Sequence, residues 1–210
     1  MHRVDDDDRA LLQRWREGDN AAGSLLLSRH FSGLYRFFSG KVTRDADDLI
    51  QRTLLACVEG RDRFRGEGVA SFRSYLFGIA RHLLYAHYRG SGGERFDSLA
   101  TSLEDLAPSP SQRIDAEAEE RVLAAALRRV PVDSQVLLEL HYWEGMTHPE
   151  LAEVLAVTPG VIKGRIQRAK EQLRARIAEL RRGPWEGLGS VDLDRWVASV
   201  PRPGATSMEV

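Results

Sequence analysis

The stretch "THPELAEVLAVTPGVIKGRIQRAKEQL", residues 147–173, decides the fold that the sequence predicts. Thr147 and Glu150 have the spacing of a capping box, in which each side chain bonds the other residue's backbone N–H, and Pro149 suits the first turn of a helix. Thr158 and Pro159 supply a second N-cap and first-turn proline. The stretch therefore predicts a helix, a short turn and a second helix.

The second helix combines one apolar stripe with a basic outer face. The stripe repeats at intervals of four and three, through Ile162, Ile166, Ala169, Leu173, Ile177 and Leu180. At 100° per residue the opposite side carries Gly160, Gly164, Gln167, Arg168 and Glu171, flanked by Lys163, Arg165 and Arg174. Residues 161–182 hold eight basic side chains and two acidic ones, although the whole chain has a net charge of −1.

Such a face suits the major groove of duplex DNA. Arginine grips guanine edges, glutamine grips adenine edges, and flanking cations bind phosphates. Glycine inside a helix costs about 1 kcal/mol relative to alanine, which close approach to another surface would offset. We predict a duplex-binding set of Thr158, Gly160, Lys163, Gly164, Arg165, Gln167 and Arg168. The alternative is a basic helix that is merely solvated.

A different nucleic-acid signal lies in "SFRSYLFGIARHLLYAHYR", residues 71–89. Phe72, Leu76, Ile79 and Leu83 make a buried helical stripe. Phe77, Tyr85 and Tyr88 are predicted on the opposite side with Arg81, and Arg89 lies nearby. Exposed rings alternating with cations suit single-stranded nucleic acid, whose bases stack on aromatic side chains. The alternative is that these rings pack on neighbouring helices.

The segment "DADDLIQRTLLACVEG", residues 45–60, predicts another helix with acids in its first turn. Leu49, Ile50, Leu54 and Val58 are available for burial. The acids favour the helix dipole, and three carboxylates without a histidine give little support for a metal site. A protein-docking surface is the better functional interpretation, and no metal or cofactor is expected.

Composition limits the remaining classes of function. The chain has 210 residues, of which 42% are hydrophobic and 29% charged, as in soluble globular proteins. The single cysteine, Cys57, excludes an internal disulfide, and its apolar surroundings indicate a buried thiol. An acidic N-terminus and the lack of a long apolar run predict a cytoplasmic protein without membrane insertion. No nucleophile and base set, phosphate loop or metal spacing indicates an enzyme.

The predicted fold class is all-α, with two small helical domains joined by a flexible linker. Residues 1–90 form the first domain, and a linker rich in Gly, Ser and Pro with many acids spans 91–114. Residues 115–182 form a second domain that contains the helix-turn-helix. Residues 183–210 form an apolar C-terminal extension, and the sequence leaves open whether it folds back onto a domain or docks a partner.

Three segments in this order resemble the extracytoplasmic-function (ECF) sigma factors of bacterial RNA polymerase. They are "DADDLIQRTL" at 45–54, "DRFRGEGVASFRSYLFGIARH" at 62–82 and "LRRVPVDSQVLLELHYWEGMTHPELAEVLAVTPGVIKGRIQRAKEQLRARI" at 127–177. The resemblance covers residues 10 to 180. It implies a protein without catalytic chemistry that acts with core polymerase to recognise and open promoters, and that an anti-sigma factor can hold inactive.

The resemblance also implies roles for particular residues. Asp48, Leu49, Ile50 and Gln51 correspond to the surface that binds the clamp coiled coil of the largest polymerase subunit. Residues 64–71 match the loop that captures a flipped base of the minus-10 element. With the following helix, the implied minus-10 set is Phe64, Arg65, Ser74, Tyr75, Phe77, Arg81, His82, Tyr85, Tyr88 and Arg89. The duplex-binding set falls within the helix that reads the minus-35 element.

One alternative function remains open from the sequence. A dimeric helix-turn-helix regulator that binds operator DNA would explain residues 147–173. It would leave the aromatic segment at 71–89 and the segment at 48–51 without a role.

Overall fold

The computed structural model describes residues 3–42, 44–64, 71–92, 96–106 and 118–181, together with 193–194 and 197. This part of the chain contains nine α-helices and, apart from an isolated bridge between Ser102 and Pro131, no β-structure. The helices are α1 (Arg3–Arg16), α2 (Asn20–Ser39), α3 (Ala46–Gly60), α4 (Phe72–Gly92), α5 (Leu103–Leu106), α6 (Ala118–Arg129), α7 (Val132–Tyr142), α8 (His148–Leu155) and α9 (Pro159–Arg181). The predicted all-α class is confirmed. None of the helices described is both long enough and apolar enough to cross a membrane.

The chain divides into two compact units. Unit 1 consists of residues 1–87 and 147–159, and unit 2 of residues 88–146 and 160–210. Helix α8, which the sequence places in the second domain, therefore shares a unit with α1, α2 and α3. The predicted boundaries at residues 90, 114 and 182 remain predictions.

The core of unit 1 begins where α1 packs on α2. Trp15 of α1 lies against Gly23 of α2, so closely that a Cβ atom at position 23 would be 2.5 Å from the indole ring. Asp19 caps α2 by accepting a hydrogen bond of 3.1 Å from the Ala22 N–H. That bond and the ion pair with Arg14 lower the pKa of the half-buried Asp19 carboxyl.

Helices α3 and α4 complete this core. Phe77 of α4 meets Phe37 of α2 edge to face, with ring centroids 5.6 Å apart. Leu49, Ile50 and Cys57 of α3 are buried. Burial raises the pKa of the Cys57 thiol to about 12, so the predicted buried thiol is confirmed.

Unit 2 is built around α7, which is buried along most of its length. Part of the predicted linker contacts the start of this helix: the Thr101 carbonyl accepts a hydrogen bond from Val132 N–H, and the Ser98 carbonyl accepts one from Asp133 N–H, both at 2.9 Å. Leu103 of α5 is buried. Residues 96–106 therefore make specific contacts, while residues 93–95 and 107–114 of the linker lie outside the described part of the chain.

The predicted capping box at the start of α8 is confirmed. Glu150 N–H donates to Thr147 Oγ1 at 3.4 Å, and Thr147 N–H donates to Glu150 Oε2 at 2.9 Å. The helix ends at Ala156, which adopts a left-handed conformation with φ 53° and ψ 49°. Three residues then separate the end of α8 from Pro159, the first residue of α9. The predicted order of helix, short turn and helix is therefore present.

Candidate nucleic-acid interface

The outer face of α9 carries the predicted duplex-binding set. The five stripe residues from Ile162 to Ile177 are buried, and Leu180 is half-buried. On the other side six members of the set are exposed: Thr158, Gly160, Lys163, Gly164, Gln167 and Arg168. A Cβ atom at Gly160 or Gly164 would meet no atom within 4 Å. These two glycines therefore leave the surface of the helix open to a close partner.

The polar side chains on α9 are not equally available. Arg168 is exposed, and no ion pair joins it to any residue in the described part of the chain. Gln167 donates a hydrogen bond of 2.9 Å to Glu171 on the next turn. Arg165 differs from its neighbours, because its guanidinium lies 3.3 Å from the buried Asp133 carboxylate of α7. Arg165 is thus positioned by α7, whereas Arg168 and Lys163 point into solvent.

The carboxylate of Glu150, which is only 4% exposed, connects α8 to the start of α4 within unit 1. Ser71 Oγ donates to Glu150 Oε1 at 2.7 Å, and the Arg73 guanidinium lies 3.1 Å from the same oxygen. Burial by itself would raise the pKa of Glu150. Hydrogen bonds from the Thr147 backbone and the Ser71 hydroxyl, together with the charge of Arg73, hold that pKa below its ordinary value.

The aromatic face predicted on α4 is wrong. Phe77, Tyr85 and Tyr88 are buried, and the buried stripe runs through Phe77, Ala80, Leu84 and Tyr88. Of the predicted stripe, Phe72 and Leu76 are buried, whereas Ile79 and Leu83 are only half-buried. Both series fit a helical repeat because α4 is apolar around much of its circumference, so spacing did not identify which side meets the core.

Other members of the minus-10 set also have structural roles. Ser74 is buried and exchanges hydrogen bonds with Ser71 at the start of α4, each at 3.1 Å. Tyr75 stacks on Phe64 with ring centroids 4.7 Å apart. Tyr88 packs on Phe96, with centroids 5.2 Å apart. These contacts make the rings part of the protein's own packing.

The cationic members of the minus-10 set are more accessible. His82 and Arg89 are exposed. Arg81 is half-buried and lies over the Tyr85 ring, 4.5 Å from its centroid. Arg65 and the rest of the loop at 65–70 lie outside the described residues. Among the described residues this region thus offers two exposed cationic side chains and one cation over a buried ring, rather than a row of exposed rings.

The predicted polymerase-binding set on α3 contains both exposed and buried residues. Asp48 and Gln51 are exposed, whereas Leu49 and Ile50 are buried and cannot form part of an outer surface in this conformation. Sequence reasoning did not single out Leu55, which is 57% exposed. Val58 was expected to be buried but is exposed. The buried side of α3 includes Thr53 and Gly60, residues that a search for apolar spacing passes over.

Comparisons with known proteins match both parts of the chain. The family model for Sigma-70 region 2 matches residues 26–93, and the model for Sigma-70 region 4 matches residues 120–173. The chain is 31% identical to the RNA polymerase sigma factor CnrH of Cupriavidus metallidurans, over 81% of this chain and 94% of CnrH. It is 26% identical to the ECF RNA polymerase sigma-E factor of Haemophilus influenzae, over 82% of this chain and 96% of that protein.

A solved structure has the same fold over most of the chain. It is the structure of CnrH in complex with the cytosolic domain of CnrY, with a TM-score of 0.59 and 26% sequence identity. The match covers 83% of this chain and 99% of the CnrH chain. A dimeric helix-turn-helix regulator would not account for the match to region 2, so this alternative is not favoured. The chain belongs to the extracytoplasmic-function family of RNA polymerase sigma factors, which bind core polymerase and direct the initiation of transcription at promoters.

Proposed function

We propose that α9 reads the minus-35 element in the major groove of promoter DNA. The exposed face that contains Arg168 carries this proposal, because it joins an unpaired arginine, an amide and two open glycines on one side of a helix. Arg168 and Gln167 contact base edges, and Lys163 contacts a phosphate. Arg165 supports the helix through Asp133.

The minus-10 element is read by the region around α4. His82 and Arg89, which are exposed, and Arg81, which is half-buried, attract the phosphates of the separated strand. The Tyr85 ring lies under Arg81 and helps to position that cation. Phe64, which stacks on Tyr75, directly precedes in sequence the loop at 65–70, to which the resemblance assigns capture of a flipped base.

Core polymerase docks on the outer side of α3. Asp48, Gln51 and Leu55 lie on that side and combine a carboxylate, an amide and an exposed apolar group. A mixed polar and apolar surface of this kind suits a helical partner such as the clamp coiled coil. The protein works in the cytoplasm, with no catalytic chemistry of its own.

An anti-sigma factor is a further proposed partner. The support is that CnrH, which is similar over most of this chain, has been solved in complex with the cytosolic domain of CnrY. A partner of this kind would compete with polymerase for the exposed residues of α3.

Run-off transcription with purified core polymerase tests the proposal. Core polymerase alone should give no promoter-specific transcript, and addition of the chain should produce one from a promoter library. Asp48→Ala combined with Leu55→Ala should abolish the transcript while leaving duplex binding by the free chain unchanged. Tight binding of the free chain to duplex DNA, without any transcript in the presence of polymerase, would contradict the function.

A further inference from the structure

Three residues of the C-terminal extension are described, and one of them, Asp194, contacts α7 and α9. The other two, Leu193 and Val197, are buried. Between them, Asp194 accepts hydrogen bonds from the Lys170 ammonium of α9, at 2.6 Å, and from the Tyr142 hydroxyl of α7. The sequence left open whether this extension folds back, and at the described residues 193, 194 and 197 it does.

Lys170 lies at the edge of the exposed face of α9, on the side that carries Lys163 and Gln167. Lys163, Gln167, Lys170 and Arg174 follow one another at intervals of four, three and four, so they form one line along the helix. Of these four residues, Lys163, Gln167 and Arg174 are exposed, whereas the Lys170 side chain is only 15% exposed. The cation is therefore covered, although its neighbours in the line face solvent.

The Asp194 carboxylate binds the Lys170 ammonium, as the oxygen of a phosphate group could. Hydrogen bonds from Lys170 and Tyr142, with the nearby charges of Lys170 and Arg174, lower the pKa of Asp194, so the carboxylate is ionised at neutral pH. A carboxylate and a phosphate both offer anionic oxygens to an ammonium group. Half of the Asp194 side chain is exposed, which leaves the ion pair open to exchange with another anion.

We propose that Lys170 is a phosphate-binding residue for duplex DNA and that Asp194 of the C-terminal extension masks it. The extension then competes with the DNA backbone for Lys170, and a duplex bound while Asp194 holds Lys170 makes one phosphate contact fewer. This inference rests on the proposed function of α9 as the helix that enters the major groove.

The energetics favour a reversible mask. Ion pairs with partly exposed members contribute little net stability, so the contact between Asp194 and Lys170 is easily replaced. The buried side chains of Leu193 and Val197 keep Asp194 close to its partner and so raise its effective concentration. DNA presents about one phosphate per 1.7 Å of duplex, which supplies competing anions at high local density.

A salt titration of duplex binding tests the mask. The probe is a fluorescein-labelled 30-base-pair duplex of random sequence, because a phosphate contact does not depend on the bases, and the full-length chain is used throughout. Asp194→Asn should tighten binding and make the negative slope of log K against log[salt] steeper by about 0.9, as one more phosphate is neutralised. That slope corresponds to an additional loss of about twofold in affinity when the salt concentration doubles.

Two comparisons separate the mask from a general charge effect. Glu153→Gln removes one negative charge from an exposed position on α8, and it should leave the salt slope unchanged. In a Lys170→Gln background, Asp194→Asn should no longer change the slope. Equal effects of Asp194→Asn and Glu153→Gln, or an effect of Asp194→Asn that persists without Lys170, would overturn the proposal.

Lys163→Ala, which removes a proposed phosphate contact of α9, identifies which proposal has failed on this random duplex. If Lys163→Ala weakens duplex binding while Asp194→Asn has no effect, α9 still binds DNA and only the mask is wrong. If neither change alters binding, the role of α9 fails, and the mask fails with it.

Discussion

Ala156 has a backbone conformation that alanine rarely adopts. Among the described residues it is the one non-glycine with a positive φ, and its N–H reaches the carbonyls of Ala152 and Glu153 at the end of α8. A Cβ atom in the left-handed region crowds the following carbonyl and costs about 1–2 kcal/mol. The turn between α8 and α9 therefore stores strain at a single position, which spacing of apolar residues does not reveal.

We expect Ala156→Gly to raise the free energy of unfolding by about 1 kcal/mol, because glycine has no Cβ to crowd. Urea denaturation followed by circular dichroism measures the change. Ala175→Gly, at an exposed position inside α9, is the matched control and should lower the same free energy by about 1 kcal/mol. Destabilisation by both substitutions would contradict a left-handed residue at position 156.

Arg168 should determine specificity as well as affinity. We expect Arg168→Ala to weaken binding to the minus-35 duplex by about 1–3 kcal/mol and to reduce discrimination against a scrambled duplex. Lys163→Ala is the comparison: it should weaken binding to both duplexes equally and reduce the salt slope by about 1. Fluorescence anisotropy with the two duplexes checks this, and equal losses for Arg168→Ala would reduce Arg168 to a phosphate contact.

The helices differ in how well the apolar spacing of the sequence predicts which side of each helix is buried. In α9 the apolar stripe is narrow and the other side is polar, so the buried residues from Ile162 to Ile177 were predicted correctly. In α4 apolar residues lie on several sides, and the choice depends on which neighbour is present, such as Phe37 of α2. In α3, the polar side chain of Thr53 is buried, and its hydroxyl is satisfied by donating to the Leu49 carbonyl at 2.7 Å. A rule based on apolar spacing could not find that position.

The close packing of α1 on α2 predicts how a substitution at their contact changes the free energy of unfolding. Gly23→Ala should lower the free energy of unfolding by about 1–3 kcal/mol, because the new methyl group overlaps the buried Trp15 ring and forces the helices apart. Differential scanning calorimetry measures the loss. Gly78→Ala in α4 is the matched control, since its Cβ would meet no atom within 4 Å, and it should stabilise the helix by about 1 kcal/mol. A stabilising Gly23→Ala would show that the two helices are not packed this closely.

At the scale of the whole molecule, the features hardest to predict join residues far apart in the sequence. Glu150 meets Ser71 and Arg73, which precede it by 79 and 77 positions, and Asp194 meets Tyr142. The sequence predicted Glu150 as half of a capping box, and that local role is confirmed. Local spacing gives no information on the contact of Glu150 with Ser71 and Arg73, because that contact depends on where the start of α4 lies relative to α8 in the folded unit.

Glu150 makes the stability of unit 1 dependent on pH. Its pKa is lowered in the folded protein, so the ionised carboxylate contributes stability that is complete above its ordinary pKa and is lost as the pH falls through the folded value. The free energy of unfolding should therefore decrease between about pH 6 and pH 3 as this carboxylate takes up a proton. Protonation weakens the ion pair with Arg73 and the hydrogen bonds to Thr147 and Ser71.

Glu150→Gln isolates that contribution. At neutral pH the variant should be less stable by about 1–3 kcal/mol, because the amide replaces an acceptor that holds several charged or polar donors in a buried site. Its free energy of unfolding should also fall less steeply with decreasing pH than that of the unsubstituted chain, as measured by urea denaturation at several pH values. Glu153→Gln, on the same helix but exposed, should leave the steepness unchanged. If all three proteins lose stability in parallel on acidification, the charge on Glu150 does not hold α8 to the start of α4.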